Sequence, residues 1–217
     1  MSVRKPEALV PLTGAIHALL GWLRRTKAPG VIIGGVAASL LGRPRMTGDV
    51  DVMVLVDDAD WRAFVEAGRA FGIVARRSDA LDFARRSRVL LLRHEPSGID
   101  LDVSLGALPF EEDMIRRARR HRVGSIRIPL PTPEDLIVMK AIAHRPRDVG
   151  DIESILEANP RIDEERVLGL VREFAAVLEA PELATDLERL LNNRRQRRRR
   201  KPRAPGSAPR SGRSRQR

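Results

Sequence analysis

The sequence predicts an α/β (α+β) chain, a small mixed sheet with flanking helices followed by a helical C-terminal region. Three observations carry this. Residues 31–56, VIIGGVAASLLGRPRMTGDVDVMVLV, read as strand, tight turn, short helix and second strand. Residues 88–93 and 99–105 are strand-like runs joined by Glu95-Pro96-Ser97-Gly98, a turn sequence that predicts a hairpin. Beyond Thr132 the chain reads as helix to about residue 194.

Taken in order, Leu12, Ile16, Leu19, Leu20 and Leu23 stand at helical spacing over residues 12–25, and Pro29-Gly30 ends that element. Val31-Ile32-Ile33 is a buried strand entering the Gly34-Gly35 turn, and residues 36–41 form a short helix of small side chains. Residues 49–56 alternate acid with apolar before becoming wholly apolar, which predicts the second strand. Trp61, Phe64, Val65 and Phe71 share one helical face over residues 59–71. Residues 72–87 carry no decisive pattern. Phe110, Met114 and Ile115 predict a helix over 109–121, and residues 125–130 a short strand closed by Pro129 and Pro131. Thr132-Pro133-Glu134-Asp135 is a helix start: a capping hydroxyl, proline at the first position and acids in the first turn.

The chain has 217 residues, 40 of them basic and 29 acidic, for a net charge of +11. That charge is terminal: Arg194 to Arg217 hold 12 basic residues and no acid, leaving 28 basic and 29 acidic residues before them. The absence of cysteine excludes a disulfide scaffold, a thiolate zinc site and a cysteine nucleophile. No apolar run reaches the length of a membrane span, and residues 1–23 read as a helix rather than a signal peptide. The expectation is a cytoplasmic protein with no membrane contact. Its organisation is a catalytic core over 1–131, a helical region over 132–193 that completes the active site, and an arginine-rich tail over 194–217. Residues 202–217 have nothing with which to build a core and are expected to be disordered.

The chemistry concentrates between residues 31 and 56. Asp49 and Asp51 are two apart in a strand, so both side chains leave the same face. Adjacent carboxylates repel unless a cation lies between them, and an oxygen-only pair suits Mg²⁺ (or Mn²⁺) held together with substrate phosphates. Upstream, the Gly34-Gly35 turn lets backbone amides approach phosphate oxygens with no side chain in the way.

This segment resembles the nucleotidyltransferase superfamily related to DNA polymerase beta. There, a hydrophobic residue and Gly-Gly or Gly-Ser are followed, after a spacer, by Asp-hydrophobic-Asp/Glu-hydrophobic. Here Gly34-Gly35 precede a 13-residue spacer, at the upper end of the family's range, and then Asp49-Val50-Asp51-Val52. Arg45-x-Thr47-x-Asp49-x-Asp51 is similar to the abortive-infection (AbiEii-like) branch and its minimal toxin relatives. Lys140 within PEDLIVMKAIAHR, followed by Arg147-Asp148-x-x-Asp151, is similar to later motifs of that branch. Lys140 is also the only lysine between residues 28 and 200 in a chain with 36 arginines, which suggests a need for ammonium geometry.

The resemblance implies the nucleotidyltransferase fold and transfer of a nucleoside monophosphate from an NTP, ATP among the candidates, to an acceptor hydroxyl. It implies a third metal-binding carboxylate, for which Asp102 is preferred and Asp100 is the alternative. Asp49, Asp51 and Asp102 would then be catalytic and metal-binding, with Gly34, Gly35, Arg45 and Lys140 binding the nucleotide. Asp148 and Asp151 would orient the acceptor, a base or Lys140, and His144, one turn after Lys140, either faces the same cleft or is structural. The branch further implies a toxin acting on tRNA or protein, with a cognate antitoxin. The tail over 194–217 offers a nucleic-acid contact. Two rivals stand beside this reading: an aminoglycoside-type small-molecule nucleotidyltransferase, which needs an acidic acceptor pocket, and a non-catalytic nucleic-acid-binding protein using the basic tail.

Overall fold

In the computed structural model, which describes residues 7–200, strands β1 (Gly30–Ile32), β2 (Asp49–Val54), β3 (Ile73–Ala75), β4 (Val89–His94) and β5 (Ile99–Leu105) form one sheet in the order β1-β2-β5-β4-β3. β2 and β5 are parallel neighbours, and every other pairing is antiparallel. β4 and β5 form the expected hairpin, its turn closed by Gly98 in the left-handed region (φ 67°).

Period-two alternation divides the sheet into two faces. Val50, Val52, Val54, Leu101, Val103 and Leu105 enter the main core, where helices α1 (Thr13–Thr26), α2 (Gly34–Leu41) and α3 (Trp61–Gly68) also bury their apolar sides. Trp22 of α1 stacks on Phe64 of α3 at 4.1 Å between ring centroids and donates its indole N–H to the Phe64 carbonyl at 2.9 Å. The other face carries Asp49, Asp51, Asp100, Asp102 and Ser104. There Val31, Ile33 and Met53 meet Met114 of helix α5 (Pro109–Arg117) in a small second cluster.

The C-terminal region is helical as expected: α6 (Pro133–Ala143), α7 (Pro146–Ala158), α8 (Glu164–Val177) and α9 (Glu182–Arg200). Thr132 caps α6, its hydroxyl accepting the Asp135 N–H at 3.1 Å. Asp135 itself is fully buried, its carboxylate held by Arg117 of α5 at 3.0 Å and Arg166 of α8 at 2.8 Å. One hydrophobic cluster runs unbroken from Leu9 to Leu191, so these helices share the core of the sheet. Among the described residues no helix is long and apolar enough to cross a membrane.

Three expectations change. Residues 72–87 supply the edge strand β3 and helix α4 (Ala80–Ser87). The helix expected over 109–121 stops at Arg117; Ala118 turns extended (φ −52°, ψ 141°), and β6 (Arg119–Val123) pairs with β7 (Ile126–Leu130). After Ile115 only Ala118 continues the helical stripe, and pairing with β7 decides the conformation. Residues 194–200, expected as the start of the tail, are instead the end of α9. Arg194 is buried, donating to Glu164 at 2.7 Å and to the Asn159 carbonyl at 2.8 Å. The remainder of the expected disordered tail, from residue 201, lies outside the described residues.

Candidate active site

The parallel register sets Asp49 opposite Asp100 and Asp51 opposite Asp102, so four carboxylates leave one face of two adjacent strands. Behind them β1 turns into α2 at Gly34, whose φ of +60° favours glycine. A Cβ there would sit 1.8 Å from Asp51 Oδ2, so the turn is glycine for space as well as for conformation. The Gly35 N–H donates to Asp51 Oδ2 at 3.4 Å, and Thr47 Oγ1 donates to Asp49 Oδ1 at 2.9 Å. Gly35 is equally confined, since a Cβ would meet Thr47 Oγ1 at 2.4 Å. The glycines therefore serve first to let the acids approach the backbone. Gly34→Ala is expected to cost about 1–3 kcal/mol of stability through strain and to displace Asp51. Thermal melts and transfer assays of that variant check this; wild-type values in both would refute the packing argument.

The acids fall into two electrostatic classes. Burial pushes the Asp51 carboxyl above the ordinary carboxylate range, and the Asp49 and Asp102 charges push it further, against the Gly35 N–H and Arg147. Burial likewise raises Asp102, against Arg76 and with help from Asp49 and Asp100. Asp100 goes the other way, because Arg93 donates to it at 2.7 Å and Arg76 at 2.8 Å. Arg76 also bonds Asp102. Asp102 is thus the one that shares the charge excess of Asp49 and Asp51, whereas Asp100 is neutralised within the sheet.

The opposite wall comes from α6 and α7. Lys140 is buried and donates to Asp148 Oδ1 at 2.8 Å, while its Nζ lies 2.6 Å from Asp151 Oδ2. Asp151 in turn accepts a bidentate fork from Arg45 at 2.7 and 2.8 Å. Despite burial, those bonds from Arg45 and Lys140 hold the Asp151 carboxyl below its ordinary range. Asp148 also accepts the Arg145 N–H at 3.2 Å. The Arg/Lys-Asp-x-x-Asp motif therefore grips the lysine, and through Arg45 it ties α7 to the loop that leads into β2.

Between the walls lies a cleft of about 200 Å³, lined by Gly34, Gly35, Thr47, Asp49, Asp51 and Ser104 on one side and Lys140, Arg145 and Arg147 on the other, with Arg45 between. Arg147 is exposed and, among the described residues, makes no ion pair, so it faces Asp51 as an unengaged cation. Asp102 adjoins the cleft without lining it. His144 lies outside it, at the left-handed end of α6 (φ 48°), bonded through Nε2 to Asp186 at 3.0 Å. Among the described residues no three His, Cys, Asp or Glu side chains form a ready-made metal cage. The donor set nevertheless fits a hard divalent cation: the Asp49 charge raises the cost of ionising Asp51, and among the described residues no basic side chain bonds either.

Sequence reasoning missed Arg76, in the segment without a pattern, and Ser104, which the strand alternation could have placed. It quoted Arg147 within a motif without giving it a role.

The profile of the family described as "Nucleotidyltransferase of unknown function (DUF6036)" matches residues 7–186. The chain belongs to this nucleotidyltransferase family. Solved structures agree on the architecture of the nucleotidyltransferase. The solution structure of the antibiotic-resistance factor ANT(2'')-Ia shares 18% identity at a TM-score of 0.51, over 77% of this chain and 92% of its own. An antigenic nucleotidyltransferase-like protein from Paracoccidioides brasiliensis shares 15% identity at a TM-score of 0.50, over 82% of this chain and 92% of its own. At these identities the likeness is one of fold, and it bears out the nucleotidyltransferase fold expected from the sequence. No curated protein sequence matches the chain.

Proposed function

We propose that this nucleotidyltransferase moves the nucleoside monophosphate of an NTP to an acceptor hydroxyl on tRNA, as a cytoplasmic toxin restrained by a cognate antitoxin. The observation that carries the transfer chemistry is the in-register set Asp49, Asp51 and Asp102 beside the Gly34-Gly35 turn, facing a basic wall. Asp49 and Asp51, joined by Asp102, would hold Mg²⁺ or Mn²⁺, which supplies activation of the acceptor oxygen and neutralises the leaving pyrophosphate. The acceptor oxygen attacks the α-phosphorus, the bond to the β-phosphate oxygen breaks, and pyrophosphate departs. The acceptor proton passes to Asp102, whose raised pKa suits a base better than the lowered one of Asp100, which Arg93 binds in addition to the Arg76 the two share.

Arg147 and Arg145 supply positive charge to the triphosphate from the cleft wall, while Lys140 and Arg45 keep that wall in place. Lys140 contributes to the nucleotide with what its bonds to Asp148 and Asp151 leave over. On the acceptor side, Arg76 and Arg93 cover Asp100, so the surface beside Asp102 lacks the acidity a polycationic antibiotic needs. That favours an anionic acceptor such as RNA. The toxin role rests on the resemblance to the abortive-infection branch.

The test incubates protein and Mg²⁺ with each α-³²P-labelled NTP in turn, offering total tRNA, an aminoglycoside, protein or no acceptor. Label moving to tRNA, and none in the Asp49→Ala/Asp51→Ala protein, is the expected result. Label confined to the antibiotic or to protein overturns the acceptor, and label on nothing overturns the transfer. In the same assay Asp102→Asn is expected to lower kcat by about 10²-fold or more, the usual scale for losing a general base, and Asp100→Asn by less than about 5-fold. Equal losses would return Asp100 to the site.

A further inference from the structure

Resting on the reading of an RNA acceptor, we infer that the outer face of the β6–β7 hairpin is the surface that holds the RNA backbone. Residues 114–133 contain six arginines and no acid, in a body whose other residues up to 193 hold 22 basic and 29 acidic side chains. Two of the six are neutralised, Arg116 by Asp113 and Arg117 by Asp113 and Asp135. The other four, Arg119, Arg120, Arg122 and Arg127, are exposed and make no ion pair among the described residues.

The register gathers three of them. Arg122 stands directly opposite Arg127 and Arg120 opposite Pro129, so Arg120, Arg122 and Arg127 share the outward face. The inward face buries Val123, Ile126, Ile128 and Leu130, which prevents the hairpin from turning over. Like charges directly opposed across an antiparallel pair repel, and an anion bridging them relieves the repulsion. Among the described residues the single hydrogen bond from these guanidinium groups runs from Arg122 Nε to the Gly124 carbonyl at 3.2 Å, leaving most of their donors unengaged. Other exposed arginines do find acids, as Arg172 does with Glu188 and Arg189 with Asp186, whereas Arg24, Arg25, Arg62 and Arg147 make no ion pair among the described residues but are not gathered on one strand face.

The chemistry of the ligand follows. Arg120 and Arg122 are about 7 Å apart along the strand, on the scale of successive phosphates in a nucleic-acid strand. No aromatic residue lies between residues 114 and 133, so the face offers charge without a stacking platform and reads the backbone rather than the bases. β7 also packs against β1, the strand that ends at the Gly34 turn, so the hairpin adjoins an element that builds the cleft.

The test titrates the full-length chain into a fluorescein-labelled tRNA pool across KCl concentrations, reading anisotropy. Against wild type, Arg120→Ala/Arg122→Ala/Arg127→Ala is expected to raise Kd about tenfold at low salt. It is also expected to reduce the slope of log K against log salt by about two, at ~0.7 per lost phosphate contact. The triple lysine variant is expected to keep both values near wild type. Unchanged Kd and slope in the alanine variant would overturn the inference and place the RNA elsewhere, the C-terminal arginines included. Binding of polyglutamate in preference to tRNA would also overturn it, assigning the face to an acidic protein. Because binding is read without turnover, a failure of nucleotide transfer leaves this result separate.

Discussion

Asp51→Asn is expected to melt higher than wild type at neutral pH while losing nucleotide transfer. Asp51 is half-buried, its pKa is raised by burial and by Asp49, and its one hydrogen bond comes from the Gly35 N–H at 3.4 Å. A carboxyl whose pKa is higher in the folded than in the unfolded chain favours folding when protonated. That contribution is lost as pH rises through the folded value. At neutral pH the wild type therefore carries an ionised carboxylate at a cost, and asparagine removes it while keeping an oxygen for the Gly35 N–H. A gain of about 1 kcal/mol corresponds to about 2–4 °C in Tm for a chain of this size. The gain should shrink as pH falls through the raised pKa toward the ordinary carboxylate range, where wild type is protonated too. Added Mg²⁺ should reverse the order, stabilising wild type and leaving the variant unmoved, and a chelator should restore it. Transfer should fall by about 10³-fold or more, because asparagine cannot match the charge that a bound cation needs. Calorimetry across pH, with and without Mg²⁺, decides; a variant less stable than wild type at neutral pH would mean the carboxylate is already compensated.

Lys140→Met is expected to cost mainly stability. The ammonium is buried and bridges Asp148 and Asp151, so its removal leaves Asp148 buried with no basic side chain bonded to it and Asp151 with Arg45 alone. Breaking one side of a buried ion pair costs about 3–5 kcal/mol. At the lower figure Tm falls by roughly 6–12 °C. Adding Asp148→Asn to Lys140→Met should recover part of the loss, since the orphaned charge goes with the partner, and a double-mutant cycle measures this. Transfer should fall as well, through Arg45, which shares Asp151 with the lysine and holds the loop before Asp49. A residue that only touched nucleotide phosphates would raise KM and leave Tm alone; that pattern would refute the bridging role.

Strand β2 and the β4–β5 hairpin were legible because their signals are local. Asp49-Val50-Asp51-Val52 alternates with the pleat, Gly34-Gly35 marks the turn, and Glu95-Pro96-Ser97-Gly98 closes a hairpin within a few residues. What escaped is set by distant partners. β3 is three residues long at the sheet edge, and nothing in its sequence announces that Arg76 will reach across β4 to Asp100 and Asp102. Three of the five residues of β6 are arginine, and it becomes a strand only because β7 offers it a ladder. Lys140 read as a phosphate ligand because its type and motif were visible, while the packing of α7 that brings Asp148 and Asp151 onto it was not. The two members of the Asp100 and Asp102 pair are indistinguishable by spacing; Arg93, directly across the hairpin from Asp100, and the burial of Asp102 separate them.

The parallel pairing of β2 with β5 has a kinetic consequence. A parallel neighbour cannot be reached through a tight turn, and here the intervening crossover contains α3, β3, α4 and β4. The strands that bring Asp51 beside Asp102 are therefore the least local pairing in the sheet, and chain-closure entropy must be overcome before that contact forms. The β4–β5 hairpin is expected to form early and the acid cluster late. In refolding experiments, recovery of catalysis should lag the recovery of secondary structure, making enzymatic activity a clock for the last step of assembly. On the ribosome the same order would leave each nascent chain without its acid cluster until β5 has emerged and closed onto β2.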